Sequence, residues 1–124
     1  MQQVLIVDDE ALIRAYAARV LAGANYHVLQ AHDGLDALAL IRETDDLALV
    51  VSDIVMPGMS GVELLERLGP ARPQLPVLLM SGYTTQELHA RGLAAPCGVL
   101  EKPFSATQLL SAVARCLDGR RELA

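Results

Sequence analysis

Four short apolar runs each end in a side chain that could carry chemistry. QVLIV (residues 3–7) runs into Asp8, Asp9 and Glu10, and LALVVS (residues 47–52) runs into Asp53. PVLLM (residues 76–80) delivers Ser81, and GVL (residues 98–100) leads through Glu101 to Lys102 and Pro103. If these groups meet, clustered carboxylates repel one another and call for a cation among them. The ligands are all oxygen, so Mg²⁺ fits best, with Mn²⁺ as a substitute. A cation, the Ser81 hydroxyl and the Lys102 ammonium around one carboxylate are the groups that neutralise a phosphoryl group in transfer. A carboxylate such as Asp53 can accept that group as an acyl phosphate.

The elements around these residues explain why they should meet. A continuous apolar run bounded by turn residues reads as a strand buried on both faces, as in a parallel sheet. Pro57, Gly58 and Gly61 end the central run just past Asp53. The strands expected are residues 3–7, 26–31, 47–53, 76–80 and 98–100, the second (YHVLQA) being the most polar and so an edge.

Helical spacing of Leu12, Ile13, Tyr16, Ala17, Val20 and Leu21 predicts a helix to about Ala22, stopped by Gly23 and Asn25. Asp33 caps a second helix with Leu35, Leu38 and Ile41 inward. Ser60 with Glu63 opens a third, stopped by Gly69, Pro70 and Pro73, and Thr84 with Glu87 opens a short fourth at about 85–92. Ser105 with Gln108 opens the last, whose inner face is Leu109, Val113, Cys116 and Leu117.

Strands alternating with helices five times predict an α/β fold, a five-stranded parallel sheet with helices on both faces. In such a sheet all C-terminal strand ends share one edge, which is where ligands bind. Asp8, Asp9, Asp53, Ser81 and Lys102 therefore converge although they lie far apart in sequence.

At 124 residues the chain is one domain, taken as residues 1–118 with a polar tail, 119–124, that should fray. Apolar runs stop far short of the ~20 residues a membrane span needs, and no export signal is visible, so cytoplasm and no membrane contact are expected. The net charge is −5 and Lys102 is the only lysine, which argues against a nucleic-acid surface. Cys97 and Cys116 lack metal-ligand spacing; in a cytosolic chain we expect no disulfide and read both as small buried hydrophobes. His27, His32 and His89 show no ligand spacing either, and Met56 and Met59 read as loop packing.

The segments VDDE, DIVMPGMSGVELL, LLMSGY and LEKPF, in this order and spacing, resemble the receiver domain of two-component response regulators. The likeness runs from about Gln3 to Leu117, and the wording is most similar to receivers of hybrid sensor kinases. It implies a flavodoxin-like doubly wound sheet in the order 2-1-3-4-5. It implies that Asp53 is the phosphoacceptor for the phosphohistidine of a histidine kinase or histidine phosphotransfer domain. It further implies that Asp9, Asp53 and the backbone carbonyl of Val55 hold Mg²⁺ with support from Asp8, that Ser81 and Lys102 bind phosphoryl oxygens, and that the Lys102–Pro103 bond is cis. The position three residues before the lysine, Tyr or Phe in many receivers, is Val99 here, so the aromatic read-out does not carry over. Tyr83 is the alternative reporter.

Simpler readings exist for each residue alone: a strand-end Asp caps a loop, a lone serine forms a turn, a lone lysine is solvated. The ordered set weighs against them. Gly58 and Gly61 serve the turn, since neither GxxxxGK nor GxGxxG is present. Competing functions are an inactive pseudo-receiver acting as an interaction module, a phosphohydrolase of the haloacid dehalogenase type, and a flavodoxin. The second would need an acid where Val55 stands; the third would need a phosphate cradle where the loop after Val7 is acidic. We expect no turnover of an external substrate, and output through a downstream protein partner.

Overall fold

A computed structural model describes residues 2–92 and 97–123. The elements are β1 (Gln3–Val7), α1 (Ala11–Gly23), β2 (His27–Ala31), α2 (Gly34–Glu43), β3 (Leu47–Asp53), α3 (Gly61–Ala71), β4 (Val77–Ser81), α4 (Thr85–Ala90), β5 (Val99–Glu101) and α5 (Ala106–Leu123). The strands form one parallel sheet in the order β2-β1-β3-β4-β5. Fold class and strand order agree with expectation.

Alternation along each strand sorts the core into two layers, because successive side chains point to opposite faces. Val4, Ile6, Leu49, Val51, Leu78 and Met80 meet Ala17 and Leu21 of α1 and Leu109, Val113 and Leu117 of α5. Leu5, Val7, Val50 and Leu79 meet Ala37 and Ile41 of α2, Leu64 and Leu68 of α3 and Leu88 of α4. Every residue of β3 is buried, so this strand is the axis of the domain. Each fully buried Leu, Ile or Val contributes about 1.5–3 kcal/mol relative to exposure.

Helix starts follow the side chains expected to cap them. Asp33 Oδ1 accepts from the Asp36 N–H, and Ser60 Oγ accepts from the Glu63 N–H. Thr84 with Glu87 and Ser105 with Gln108 form reciprocal boxes, each side chain bonded to the other's backbone N–H.

Several expectations need correction. Leu12, Tyr16 and Leu35 are exposed rather than inward, and Ala18, Gly34 and Ala37 are buried in the corresponding helices. Gly34 is covered by the Met59 side chain and Ala37 joins the layer with Leu5 and Ile41, while the bulk of Leu12, Tyr16 and Leu35 is turned outward. Helix α3 continues through Gly69 and Pro70 to Ala71. Helix α1 includes Gly23, and Asn25 (φ 69°) makes the left-handed turn into β2. Helix α5 spans Ala106–Leu123, and Ala124 lies outside the described residues.

Cys97 and Cys116 form a disulfide, overturning the expectation of two independent hydrophobes. Only the fold shows why: Cys97 sits at the foot of β5, directly across from the inner face of α5, with Cα atoms 5.6 Å apart. Among the described residues no helix is long and apolar enough to cross a membrane.

Candidate phosphoacceptor and metal site

Register brings the reactive strand ends side by side. Val7 pairs with Ser52, Asp53 with Met80 and Ser81 with Glu101, so each reactive residue ends its strand or follows it by one position. The ladder continues past the strands: Asp8 N–H donates to Ala31 O at 3.2 Å and Lys102 N–H to Ser81 O at 2.7 Å. The backbone therefore fixes both ends of an ion pair separated by 94 residues in sequence. The Lys102–Pro103 bond is cis, as the resemblance implies.

Asp8 is fully buried, and Asp53 and Ser81 nearly so. Lys102 Nζ lies 3.0 Å from Asp8 Oδ2 and 3.3 Å from Asp53 Oδ1, with Glu10 Oε1 at 3.9 Å. Asp8 is held further by its Oδ1, which accepts from the Glu10 N–H at 2.9 Å, and by Arg14, which donates to its carbonyl at 2.7 Å. Ser81 Oγ accepts from the Tyr83 N–H at 2.9 Å, which leaves its own proton available to a ligand oxygen.

The loop after Asp53 must pass close to it. A Cβ on Gly61 would stand 2.3 Å from the Asp53 carbonyl oxygen, so only glycine allows the approach that also gives the Gly61 N–H···O=C Ile54 bond of 2.8 Å. Gly58 takes φ +81° in the same loop. Both glycines serve the turn, as expected. Met59 is buried against Gly34, and Met56 is buried with it in the layer beneath α2 and α3.

Burial pushes the Asp53 carboxyl above its ordinary value; Lys102 opposes this, and the charges of Asp8 and Asp9 add to it. Burial alone would depress the Lys102 ammonium, but the Asp8 hydrogen bond and the charges of Asp53 and Asp8 outweigh it, and its pKa is raised.

Carboxylate oxygens of Asp8, Glu10 and Asp53 lie within 4.8 Å of one another. Glu10 is the member that sequence reasoning passed over. It precedes α1 in extended conformation with no cap bond from its side chain, so its longer side chain is free to turn toward Lys102. Asp9 is exposed and stands outside this trio, though its charge is felt at Asp53. Val55 lies in the loop beyond Ile54 with its side chain in solvent. Three carboxylates against one ammonium leave a formal −2 in a largely buried pocket of hard oxygen donors. That donor set suits a small divalent cation.

Tyr83 is partly exposed, and the Arg91 guanidinium stacks 4.4 Å from its ring centroid at the end of α4. Val99 is half-buried in the layer beneath α2–α4.

Residues 4–114 match the response regulator receiver domain. The chain is 38% identical over 118 residues to the sensor kinase CckA of Brucella abortus, covering 93% of this chain and 12% of that protein's length. It is 30% identical to the response regulator receiver protein CpdR of the same organism, covering 94% of this chain and 98% of CpdR. Among solved structures, the chemotaxis protein CheY4 of Vibrio cholerae superposes with a TM-score of 0.80 at 34% identity, covering 94% of this chain and 99% of that one. The receiver domain of the hybrid histidine kinase CckA superposes at 0.77 with 34% identity, covering 93% and 98%. A family match of this extent, joined by a relative that the chain spans almost end to end, means that the chain belongs to the response regulator receiver domain family of two-component signalling.

Proposed function

We propose that this receiver accepts a phosphoryl group on Asp53 from the phosphohistidine of a histidine kinase or histidine phosphotransfer domain, and that the acyl phosphate changes its contacts with a downstream protein. The observation that carries this reading is the meeting of Asp53, Asp8 and Lys102 within 3.0–3.3 Å, with Ser81 ending the adjacent strand. An Asp53 carboxylate oxygen attacks phosphorus, the phosphorus–nitrogen bond of the donor breaks, and its electron pair returns to the imidazole. Lys102 and the Ser81 hydroxyl donate to the oxygens of the group in transfer, where hydrogen bonds aimed at developing charge count most.

Asp8, Glu10 and Asp53, with Asp9 and the Val55 carbonyl as further candidates, would hold Mg²⁺ or Mn²⁺. When bound, that ion supplies positive charge to the transferred oxygens. The domain modifies itself and turns over no external substrate. Docking with protein partners on a face outside the acidic pocket, rather than with nucleic acid or membrane, suits the net charge of −5.

The test is incubation with acetyl phosphate, with and without Mg²⁺, read by intact mass for wild type and Asp53→Asn. A gain of one phosphoryl group that needs Mg²⁺ and is absent in the variant is expected. No adduct and no Mg²⁺ binding by titration would instead favour an inactive receiver acting as an interaction module.

A further inference from the structure

We propose that Cys97 and Cys116 are a reversible redox centre that exchanges with a small anionic thiol of the glutathione class, reached through a cavity at the sheet edge opposite the acidic site. Both cysteines line this cavity of about 620 Å³, together with Leu68, Val77, Arg72 and Arg115. Val77 opens β4 and Cys97 precedes β5, so the cavity lies at the N-terminal strand ends, away from Asp53 and Lys102. Thiol exchange requires a thiolate to reach a disulfide sulfur. Cys116 is almost fully buried, whereas Cys97 is only partly so and faces the open cavity; Cys97 is the sulfur attacked.

The reduced state is accommodated as well as the oxidised one. Cys116 Sγ lies 3.3 Å from the Cys97 carbonyl oxygen, so a thiol there keeps a hydrogen-bond acceptor. Of the two guanidinium groups that line the cavity among the described residues, Arg72 is committed to the carbonyls of Ile41, Thr44 and Asp45. Arg115 is exposed and available to an incoming carboxylate. In the exchange a thiolate attacks Cys97 Sγ, the Cys97–Cys116 bond breaks and Cys116 leaves as a thiolate that takes a proton. A second thiolate then attacks the mixed disulfide, and Cys97 leaves and is protonated. Two glutathione molecules become one oxidised glutathione, and the protein gains two electrons and two protons. The oxidised state ties the foot of β5, a strand of three residues that leads to Lys102, to α5; the reduced state releases it.

The experiment equilibrates the folded protein without denaturant in mixtures of reduced and oxidised glutathione, alkylates free thiols and reads intact mass, with circular dichroism as the check on folding. Two thiols should appear together as the mixture becomes reducing, with secondary structure unchanged and faster hydrogen exchange in residues 99–101. Arg115→Glu should slow exchange with glutathione roughly tenfold while leaving exchange with neutral 2-mercaptoethanol unchanged. Thiols that appear only after the chain unfolds would mark a purely structural bridge, and thiols that stay free in oxidised glutathione would mark no bridge at all; either overturns the proposal. Equal rates for Arg115→Glu and wild type with glutathione overturn the guided route through the cavity.

Discussion

Replacing Lys102 with methionine keeps an unbranched apolar stem out to Cε and removes the ammonium and its charge. In the metal-free domain this leaves Asp8, Glu10 and Asp53 without the ammonium that lies 3.0 Å from Asp8 and 3.3 Å from Asp53. At an effective dielectric constant of about 20, each of these contacts has a gross Coulomb energy of about 5 kcal/mol. Desolvation of the lysine offsets much of that sum, and removing one partner of a buried pair typically costs about 3–5 kcal/mol. That is a large share of the roughly 5–15 kcal/mol that holds a domain folded.

Protonation limits the loss and gives it a pH signature. Asp53 already has a raised pKa in the folded state because it is buried, and losing Lys102 removes the main influence that lowers it. A carboxyl whose folded pKa exceeds its unfolded value makes stability fall as pH rises between the two. The variant should therefore lose about 3 kcal/mol or more at pH 8 and progressively less as pH falls toward the ordinary carboxylate range. The assay is urea unfolding at pH 5 and pH 8, in chelator and in Mg²⁺. With the formal charge of the pocket at −3 instead of −2, Mg²⁺ should restore more stability to the variant than it adds to wild type. A metal-free variant within about 1 kcal/mol of wild type at pH 8, or one equally destabilised at both pH values, would refute the assignment of Lys102 as the internal counter-ion.

Gly61→Ala sets a Cβ 2.3 Å from the Asp53 carbonyl and 3.1 Å from Ile54 Cα, both backbone atoms that cannot swing away; it should cost about 1–3 kcal/mol in urea unfolding and slow labelling by acetyl phosphate, and an unchanged midpoint would contradict the close approach. Arg72→Ala removes the donors on the carbonyls of Ile41, Thr44 and Asp45. It should lower stability by about 1–3 kcal/mol and speed hydrogen exchange at the end of α2 while leaving phosphoryl acceptance unchanged. Asp53→Asn replaces a carboxylate that is costly to ionise by a neutral amide, so the metal-free variant should be more stable than wild type at neutral pH. The gain should vanish in acid, where wild-type Asp53 is protonated, and a variant less stable at every pH would contradict the raised pKa.

The sheet, and the convergence of Asp8, Asp53, Ser81 and Lys102 at its C-terminal edge, were legible because both rest on local pattern. Continuous apolar runs ending in Asp8, Asp53, Ser81 and Lys102 fix strands and chemistry together, since one residue marks the end of burial and the start of the site. What stayed hidden depends on reach across the fold. Glu10 joins the site because its side chain is long enough to approach Lys102 from the position before α1, a fact of geometry that the VDDE string does not carry. Arg72 caps α2 from the end of α3, and Cys97 finds Cys116, 19 positions further along the sequence, across the foot of β5. Leu12, Tyr16 and Leu35 misled because helical period says which residues share a face but not which part of that face neighbouring elements cover.

The buried polar residues show how the fold and the chemistry constrain one another. Among the described residues these are Asp8, Ser52, Asp53 and Ser81. Ser52 is satisfied by its neighbour's carbonyl, and the other three converge on the acidic pocket. A domain optimised only for stability would place apolar side chains there, since a buried ion pair is seldom better than a hydrophobic replacement. Here the trio holds more negative charge than its single lysine balances. That excess of negative charge is what would favour a divalent cation among Asp8, Glu10 and Asp53. The same imbalance makes Asp53 costly to ionise alone, so under the function proposed above a bound cation would ready Asp53 for phosphoryl acceptance through the electrostatics of one site.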